Sequence, residues 1–217
     1  MTGEYHVHYQ KDFSRIADDP MGALFSLPAG LENADIGYYY QTPDSFRLCC
    51  GCRMGWNETG LYIWEYATET VLRMVEIGTC SRAWEDSCLE VFLAPNPERP
   101  EYYFNYECTP TPYVYLSKGT GRNDRIEFPM LPEGMEPVSS VLPGKGWSIR
   151  YRVTPEFMRD EFGAPELKKG MILHANFQKC GNKTEVPHWA LWNPTEYLDD
   201  GRLDFHQPKY FGRLILD

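Results

Sequence analysis

The indole of Trp84 precedes the carboxylate of Glu90 by six positions in the run Arg82-Ala83-Trp84-Glu85-Asp86-Ser87-Cys88-Leu89-Glu90-Val91-Phe92-Leu93. A flat apolar ring near a fixed acceptor suits a ligand with an apolar face and in-plane hydroxyls, which describes a sugar ring. Large aromatics are also highly buried on average, so a core Trp leading into an ordinary strand is the other reading of the same run.

The acids Glu85, Asp86, Glu90 and Glu107 raise the question of hydrolysis. Glycoside cleavage usually needs two carboxylates roughly 5–10 Å apart across the bond. A chain of net charge −10 brings acids close by coincidence. No G-x-S-x-G, H-E-x-x-H, P-loop or dinucleotide motif occurs, so the chain is read as non-catalytic.

Three other groupings suggest metal or haem chemistry. Cys49, Cys50 and Cys52 spell a C-x-x-C without a second pair at zinc-ribbon spacing, and small core hydrophobes are their default role. His6 and His8 form an H-x-H in a stretch read as a loose, solvated tail. Met54, Met74 and His174 supply the side-chain types that hold haem in an electron-transfer sandwich, although nothing in their spacing favours it.

Composition narrows the partners. A surface of charge −10 without a clustered basic patch is repelled by nucleic acid and by anionic membranes. No run approaches the ~20 apolar residues of a membrane span. The start, Met1-Thr2-Gly3-Glu4, has no basic, apolar leader, so the expected location is cytoplasmic, or secreted if a leader was removed. Seven cysteines, an odd number, fit reduced thiols better than a disulfide framework.

The elements that must position these side chains are short. The 35 Pro and Gly residues (17 and 18) punctuate many brief runs. Strands are expected at Phe46 to Cys52 and Leu61 to Ala67, paired as a hairpin around Asn57-Glu58-Thr59-Gly60. Further strands are expected at Cys88 to Leu93, Glu101 to Cys108, Tyr113 to Leu116, Trp147 to Val153, Met171 to Lys179 and Phe211 to Leu216. One connecting helix follows the cap Thr154 and the first-turn residue Pro155. His188 to Pro208 reads as a long irregular segment carrying Trp189, Trp192, Tyr197, Phe205 and His206. The expected fold is an all-β, antiparallel, jelly-roll-like sandwich. It is expected as a single domain over 1–217, with 1–45 an N-terminal extension packing on it.

With these pieces placed, the chain resembles carbohydrate-binding module family 9, in its stand-alone family 9-like branch. The resemblance runs from about Phe46 to the end. It rests on Trp84 to Phe92, on Tyr102-Tyr103-Phe104-Asn105-Tyr106-Glu107, on Ala175-Asn176-Phe177-Gln178-Lys179-Cys180-Gly181, and on Trp192-Asn193-Pro194 with Pro208-Lys209-Tyr210-Phe211-Gly212-Arg213-Leu214.

The resemblance implies a β-sandwich that holds the end of a glucan or xylan chain between two indoles. It assigns Trp84 and Trp192 as the platforms, with Trp189 a competitor for the second place. Glu90, Asn105, Asn176 and Gln178 are the matching polar partners. Tyr103 stands where the xylanase-linked members have an Arg. The resemblance also implies structural calcium, for which no D-x-D-x-D loop is present, and a separately encoded glycosidase as partner in polysaccharide breakdown. The alternatives are an interaction or structural sandwich without a sugar, and the haem-binding sandwich.

Overall fold

In a computed structural model of the chain, residues 3–13 and 20–217 are described. Residues 1–2 and 14–19, part of the expected N-terminal extension, lie outside them. The elements in chain order are β1 (Glu4–Tyr9), α1 (Pro20–Phe25), β2 (Ala34–Asp35), β3 (Tyr38–Tyr40), β4 (Cys50–Asn57), β5 (Gly60–Ala67), a 3-10 turn at Ala83–Glu85, β6 (Cys88–Ala94), β7 (Tyr103–Cys108), β8 (Val114–Gly119), β9 (Ile126–Glu127), β10 (Val138–Leu142), β11 (Gly146–Val153), α2 (Pro155–Phe162), β12 (Ile172–Gly181), β13 (His188–Leu191), a 3-10 turn at Pro208–Tyr210 and β14 (Gly212–Leu216).

The strands follow one hydrogen-bonded path that curls into two layers. One layer runs β10-β11-β5-β4, with β2 also on β4. The other runs β14-β12-β6-β7-β8-β9, with β13 and then β3 continuing from β12. β1 joins them: Glu4 to Val7 pair with β14, and His8 and Tyr9 pair with β4, both in parallel. The antiparallel all-β sandwich expected from the sequence is therefore present, with these two parallel pairings at its seam.

The core lies between the layers. Period-two alternation sends Leu89, Val91 and Leu93 of β6, Phe104 and Tyr106 of β7 and Leu173, Ala175 and Phe177 of β12 inward, where they meet Ile63, Ile149 and Tyr151. Tyr106 stacks on Tyr151 with ring centroids 3.9 Å apart. The opposite face of β6, β7 and β12 carries Glu90, Asn105, Glu107, Asn176 and Gln178, all buried. A third tier, in which Phe205 and Phe211 pack against Phe92 and Tyr103, covers part of that outer face.

Local chemistry explains the boundaries. In the β4–β5 hairpin the Asn57 side chain accepts from Thr59 N–H at 2.9 Å. Gly60 has φ of 137°, and a side chain there would meet the Val153 carbonyl oxygen at 2.2 Å. For α2, Thr154 accepts the Phe157 amide at 3.3 Å and Gly163 closes the helix at φ 61°.

Several expectations change. β4 begins at Cys50 rather than Phe46. A second, six-residue helix, α1, lies in the N-terminal segment. The 1–45 stretch supplies β1, β2 and β3 to the sheets. His6 and His8 lie on β1 rather than on a loose tail, and His6 Nδ1 pairs with Asp217 at 2.7 Å. The segment from His188 begins as a strand, β13. The cysteines, by contrast, are as expected: all seven are free, and Cys50 and Cys52 are buried while Cys49 is exposed, so the C-x-x-C thiols do not converge.

Candidate functional site

The outer face of β6, β7 and β12 forms the floor of a pocket of about 620 Å³. Glu90 and Phe92 rise from β6, Glu107 from β7, Tyr115 from β8 and Cys180 from β12. Trp84, on the 3-10 turn before β6, and Trp189, on β13, line the same pocket. Arg122 and Arg125 enter from the β8–β9 connection, and the 198–206 segment completes the rim.

Both indoles are fixed at their bases. Trp84 meets Tyr115 edge-on, with centroids 5.1 Å apart. The Asn182 amide N–H donates to the Trp84 carbonyl at 3.0 Å, and its side-chain oxygen accepts the Trp189 indole N–H at 2.7 Å. Lys183 N–H donates to the Glu85 carbonyl at 3.0 Å, so the 3-10 turn is tied to the turn after β12. The neighbouring acids are spent on this scaffold. Asp86 accepts Val75 and Glu76 N–H at 2.7 and 2.8 Å and binds Arg73. Glu85 pairs with Arg82 at 3.0 Å and Lys183 at 2.8 Å.

Glu90 and Glu107 are directly opposed on β6 and β7. Burial pushes the Glu90 carboxyl up to about 6. Burial, reinforced by the Glu90 charge, holds Glu107 well above the carboxylate range. Two buried acids side by side cannot both ionise cheaply, so near neutrality Glu90 is the anion and Glu107 the acid. Glu107 Oε1 accepts from Asn105 at 2.8 Å, while its Oε2 has no hydrogen-bond partner. Burial, with Arg122 and Arg125 nearby, drives the His206 ring down to about 3, so it is neutral where it meets the Tyr103 hydroxyl at 2.7 Å.

Arg125 is held rigidly. Its Nε donates to Ser117 Oγ at 3.1 Å, its Nη2 to the Ser117 carbonyl at 2.9 Å and to Asn105 Oδ1, and its guanidinium covers the Tyr103 ring at 4.5 Å. Nη1 is buried without a partner. The floor therefore offers one carboxylate acceptor, one carboxylic acid and one unengaged guanidinium NH2 beside two indoles. Hydroxyls of a small polyol ring would satisfy those groups while its apolar face meets the indoles.

Of the six residues anticipated from sequence, Trp84 and Glu90 line the pocket. Asn105 is fully buried and acts from beneath, bridging Glu107 and Arg125. Asn176 is turned to its own chain: it donates to the Asn193 carbonyl at 2.8 Å and accepts Phe177 and Asn193 N–H at 3.1 and 2.9 Å. Gln178, with its amide oriented to satisfy both groups, donates to the backbone carbonyls of Glu90 and Asn176 at 2.9 and 3.1 Å. Trp192 packs against the core, 5.1 Å from Phe177 and edge-on to Tyr5 at 6.4 Å, and lies outside the pocket lining.

The second indole of the pocket is thus Trp189. Residues three apart point to opposite faces of an extended segment, so only one of Trp189 and Trp192 can face the pocket. Sequence reasoning missed Arg122 and Arg125. Two arginines within Gly121-Arg122-Asn123-Asp124-Arg125, in so acidic a chain, were the available signal. The guanidinium absent at position 103 is supplied over that same ring by Arg125.

The side chains that a haem site would need fall in different settings: Met54 is in the core, Met74 is exposed, and His174 lies on β12 opposite Arg213. Among the described residues, one group of three metal-ligating side chains converges: Cys88, Glu90 and Cys180. Two sulfur donors do not suit calcium, which takes oxygen ligands. No helix among the described residues is long and apolar enough to cross a membrane.

The family model described as carbohydrate-binding family 9 matches residues 52–141 and 147–216. Among solved structures, a candidate carbohydrate-binding protein from Bacteroides uniformis matches with a TM-score of 0.77 at 21% identity, covering 100% of both chains. A family 9 carbohydrate-binding module from Caldicellulosiruptor kristjanssonii, in complex with cellotriose, matches at 0.65 and 14% identity, covering 99% of this chain and 94% of that one. Its glucose complex matches at 0.62 and 14%, with 99% and 96% covered. At these identities the likeness is one of fold. No functionally curated relative matches.

Proposed function

Because the chain belongs to carbohydrate-binding family 9, we propose that the pocket lined by Trp84 and Trp189 holds the terminal sugar of a glucan- or xylan-type saccharide and leaves it uncleaved. One observation carries this reading. Two fixed indoles share a 620 Å³ pocket with two buried polar atoms that lack partners, Glu107 Oε2 and Arg125 Nη1. Buried polar groups are otherwise satisfied almost everywhere in proteins, so a carboxyl oxygen and a guanidinium nitrogen left without partners at a pocket floor suit a hydroxylated ligand. The cellotriose and glucose complexes of the Caldicellulosiruptor module support a glucan end as the first candidate.

The placing of the acids supports binding without cleavage. Glu90 and Glu107 rise from opposed positions on neighbouring strands, both from the floor of the pocket. A glycosidase needs its two acids flanking the scissile bond. A separately encoded glycosidase is the partner that would use such a module.

If each indole hides ~100 Å² of apolar area at about 25 cal/mol/Å², the two supply roughly 5 kcal/mol. Hydrogen bonds add about 0.5–1.5 kcal/mol each. Association and ordering offset several kcal/mol, which leaves a Kd between micromolar and millimolar. Calorimetric titration with glucose, cellobiose, cellotriose and xylo- and manno-oligosaccharides tests this. Saturable heat that disappears in Trp84→Ala is expected. Folded protein giving no heat with any of them at millimolar concentration would overturn the reading and favour an interaction domain.

A further inference from the structure

Cys88 and Cys180 are directly opposed on β6 and β12, and Glu90 stands two residues from Cys88 on the same face. The two sulfur atoms and a carboxylate oxygen of Glu90 all lie within 4.8 Å of one another. All three residues are buried, at 0%, 2% and 3% exposure for Cys88, Cys180 and Glu90. Cys180 and Glu90 line the 620 Å³ pocket, and Cys88 is the fully buried third member of the group beside them. We propose that Cys88, Cys180 and Glu90 form a binding site for a thiophilic divalent cation of the zinc class, with its fourth position open to the pocket.

The dimensions fit. Tetrahedral zinc with bonds of about 2.3 Å to sulfur and 2.1 Å to oxygen separates its ligands by roughly 3.6–3.8 Å. In the metal-free chain the Cys180 thiol donates to Glu90 Oε1 at 2.6 Å. A proton thus sits between two of the three donors, and the cation takes its place once the carboxylate withdraws by about 1 Å. Each thiol S–H breaks as its metal–sulfur bond forms, and the two protons pass to solvent. Two thiolates and a carboxylate around a dication leave one negative charge, next to the arginines of the same pocket.

The donor set selects the ion. Sulfur ligands favour zinc and its softer relatives over calcium and magnesium, which take oxygen. Three protein ligands with an open fourth position would leave the ion in contact with water or with a hydroxylated ligand. The site shares Glu90 with the proposed sugar pocket, but it stands on the two thiols and holds or fails whether or not a sugar binds.

The test uses the full chain, reduced with a phosphine and freed of metal, titrated with cobalt(II) as a coloured stand-in and then with zinc. The expected result is a saturating thiolate-to-cobalt charge-transfer absorption at one equivalent, displaced by zinc. Zinc calorimetry in two buffers of different ionisation heat should show proton release. Cys88→Ser and Cys180→Ser should each remove the absorption, and Glu90→Gln should weaken cobalt binding at least tenfold. Cys49→Ser, at an exposed thiol, should change nothing. If either serine variant does not fold, Cys88→Ala and Cys180→Ala replace it. No charge-transfer absorption at tenfold excess of cobalt, or absorption that persists in folded protein lacking both thiols, would overturn the site.

Discussion

Trp84 and Trp189, which lie 105 positions apart in the chain, are fastened to one residue: Asn182 donates its main-chain N–H to the carbonyl of the first and accepts the indole N–H of the second. The two rings are thus held by a shared joint between β12 and β13.

That joint predicts a graded defect. Asn182→Ala removes the acceptor for the Trp189 indole but leaves the main-chain bond to Trp84. A lost hydrogen bond of about 0.5–1.5 kcal/mol corresponds to roughly 2- to 13-fold. Affinity for cello-oligosaccharide should fall within that range, with the melting temperature nearly unchanged. Unaltered affinity would mean that Trp189 needs no such anchor.

The two indoles contended for the second platform should behave differently. Trp189→Ala should remove most sugar binding and leave the fold intact. Trp192→Ala should cost about 3 kcal/mol of stability, the order expected for deleting a large aromatic packed on a core, while folded protein keeps its affinity. Denaturant titration alongside calorimetry separates the cases. A Trp192→Ala protein that is stable but does not bind would reverse the assignment.

That assignment shows where the sequence was legible. The alternation in β6, β7 and β12 could be read directly, since apolar inward residues interleave with Glu90, Asn105, Glu107, Asn176 and Gln178. The roles of those polar residues could not. Each faces the outer side, yet Asn176 and Gln178 satisfy neighbouring main chain, and Asn105 braces Arg125 and Glu107. Arg125 reaches Tyr103 across 22 positions from a connection with no local signature. β1 was legible in principle, because Tyr5 and Val7 alternate with His6 and His8. The H-x-H pattern masked it, and only pairing with β14 and β4, each far away in sequence, makes it a strand.

The acid pair predicts a pH dependence of binding. Glu90 titrates near 6 because burial disfavours its charge. An anionic Glu90 accepts from a sugar hydroxyl, and protonation removes that capacity. Affinity should therefore drop about tenfold, roughly the worth of one charge-assisted hydrogen bond, between pH 8 and pH 5. Glu90→Gln should bind about tenfold more weakly at pH 8 and show a flat profile. A variant that retained the slope would place the titration elsewhere.

Glu65 gives a prediction about stability. It is fully buried on β5, neither carboxyl oxygen has a hydrogen-bond partner, and burial raises it well above the usual carboxylate value. The folded chain therefore keeps this proton to higher pH than the unfolded chain, whose Glu releases it near 4.5. Stability from this group is complete below that value and declines as pH rises above it. Relative to the parent, Glu65→Gln should gain stability progressively from pH 5 to pH 8. Thermal melts at both pH values check this, and an equal offset at the two would refute it. His188, lowered by burial to about 4, adds the same slope to parent and variant and cancels in that difference.

The parallel pairing of β1 with β14 has a mechanical consequence. Tension applied before Glu4 and after Leu216 would draw these neighbours along their length in opposite senses. Their hydrogen bonds would then bear load together in shear, instead of parting one at a time as in a peeled hairpin. A fold clasped this way should rupture at high force along that axis and at much lower force when pulled across the β4–β5 turn. Forced rupture reports the barrier to unfolding rather than its equilibrium. Pulled through its two ends, the folded chain should thus resist extension along its own seam.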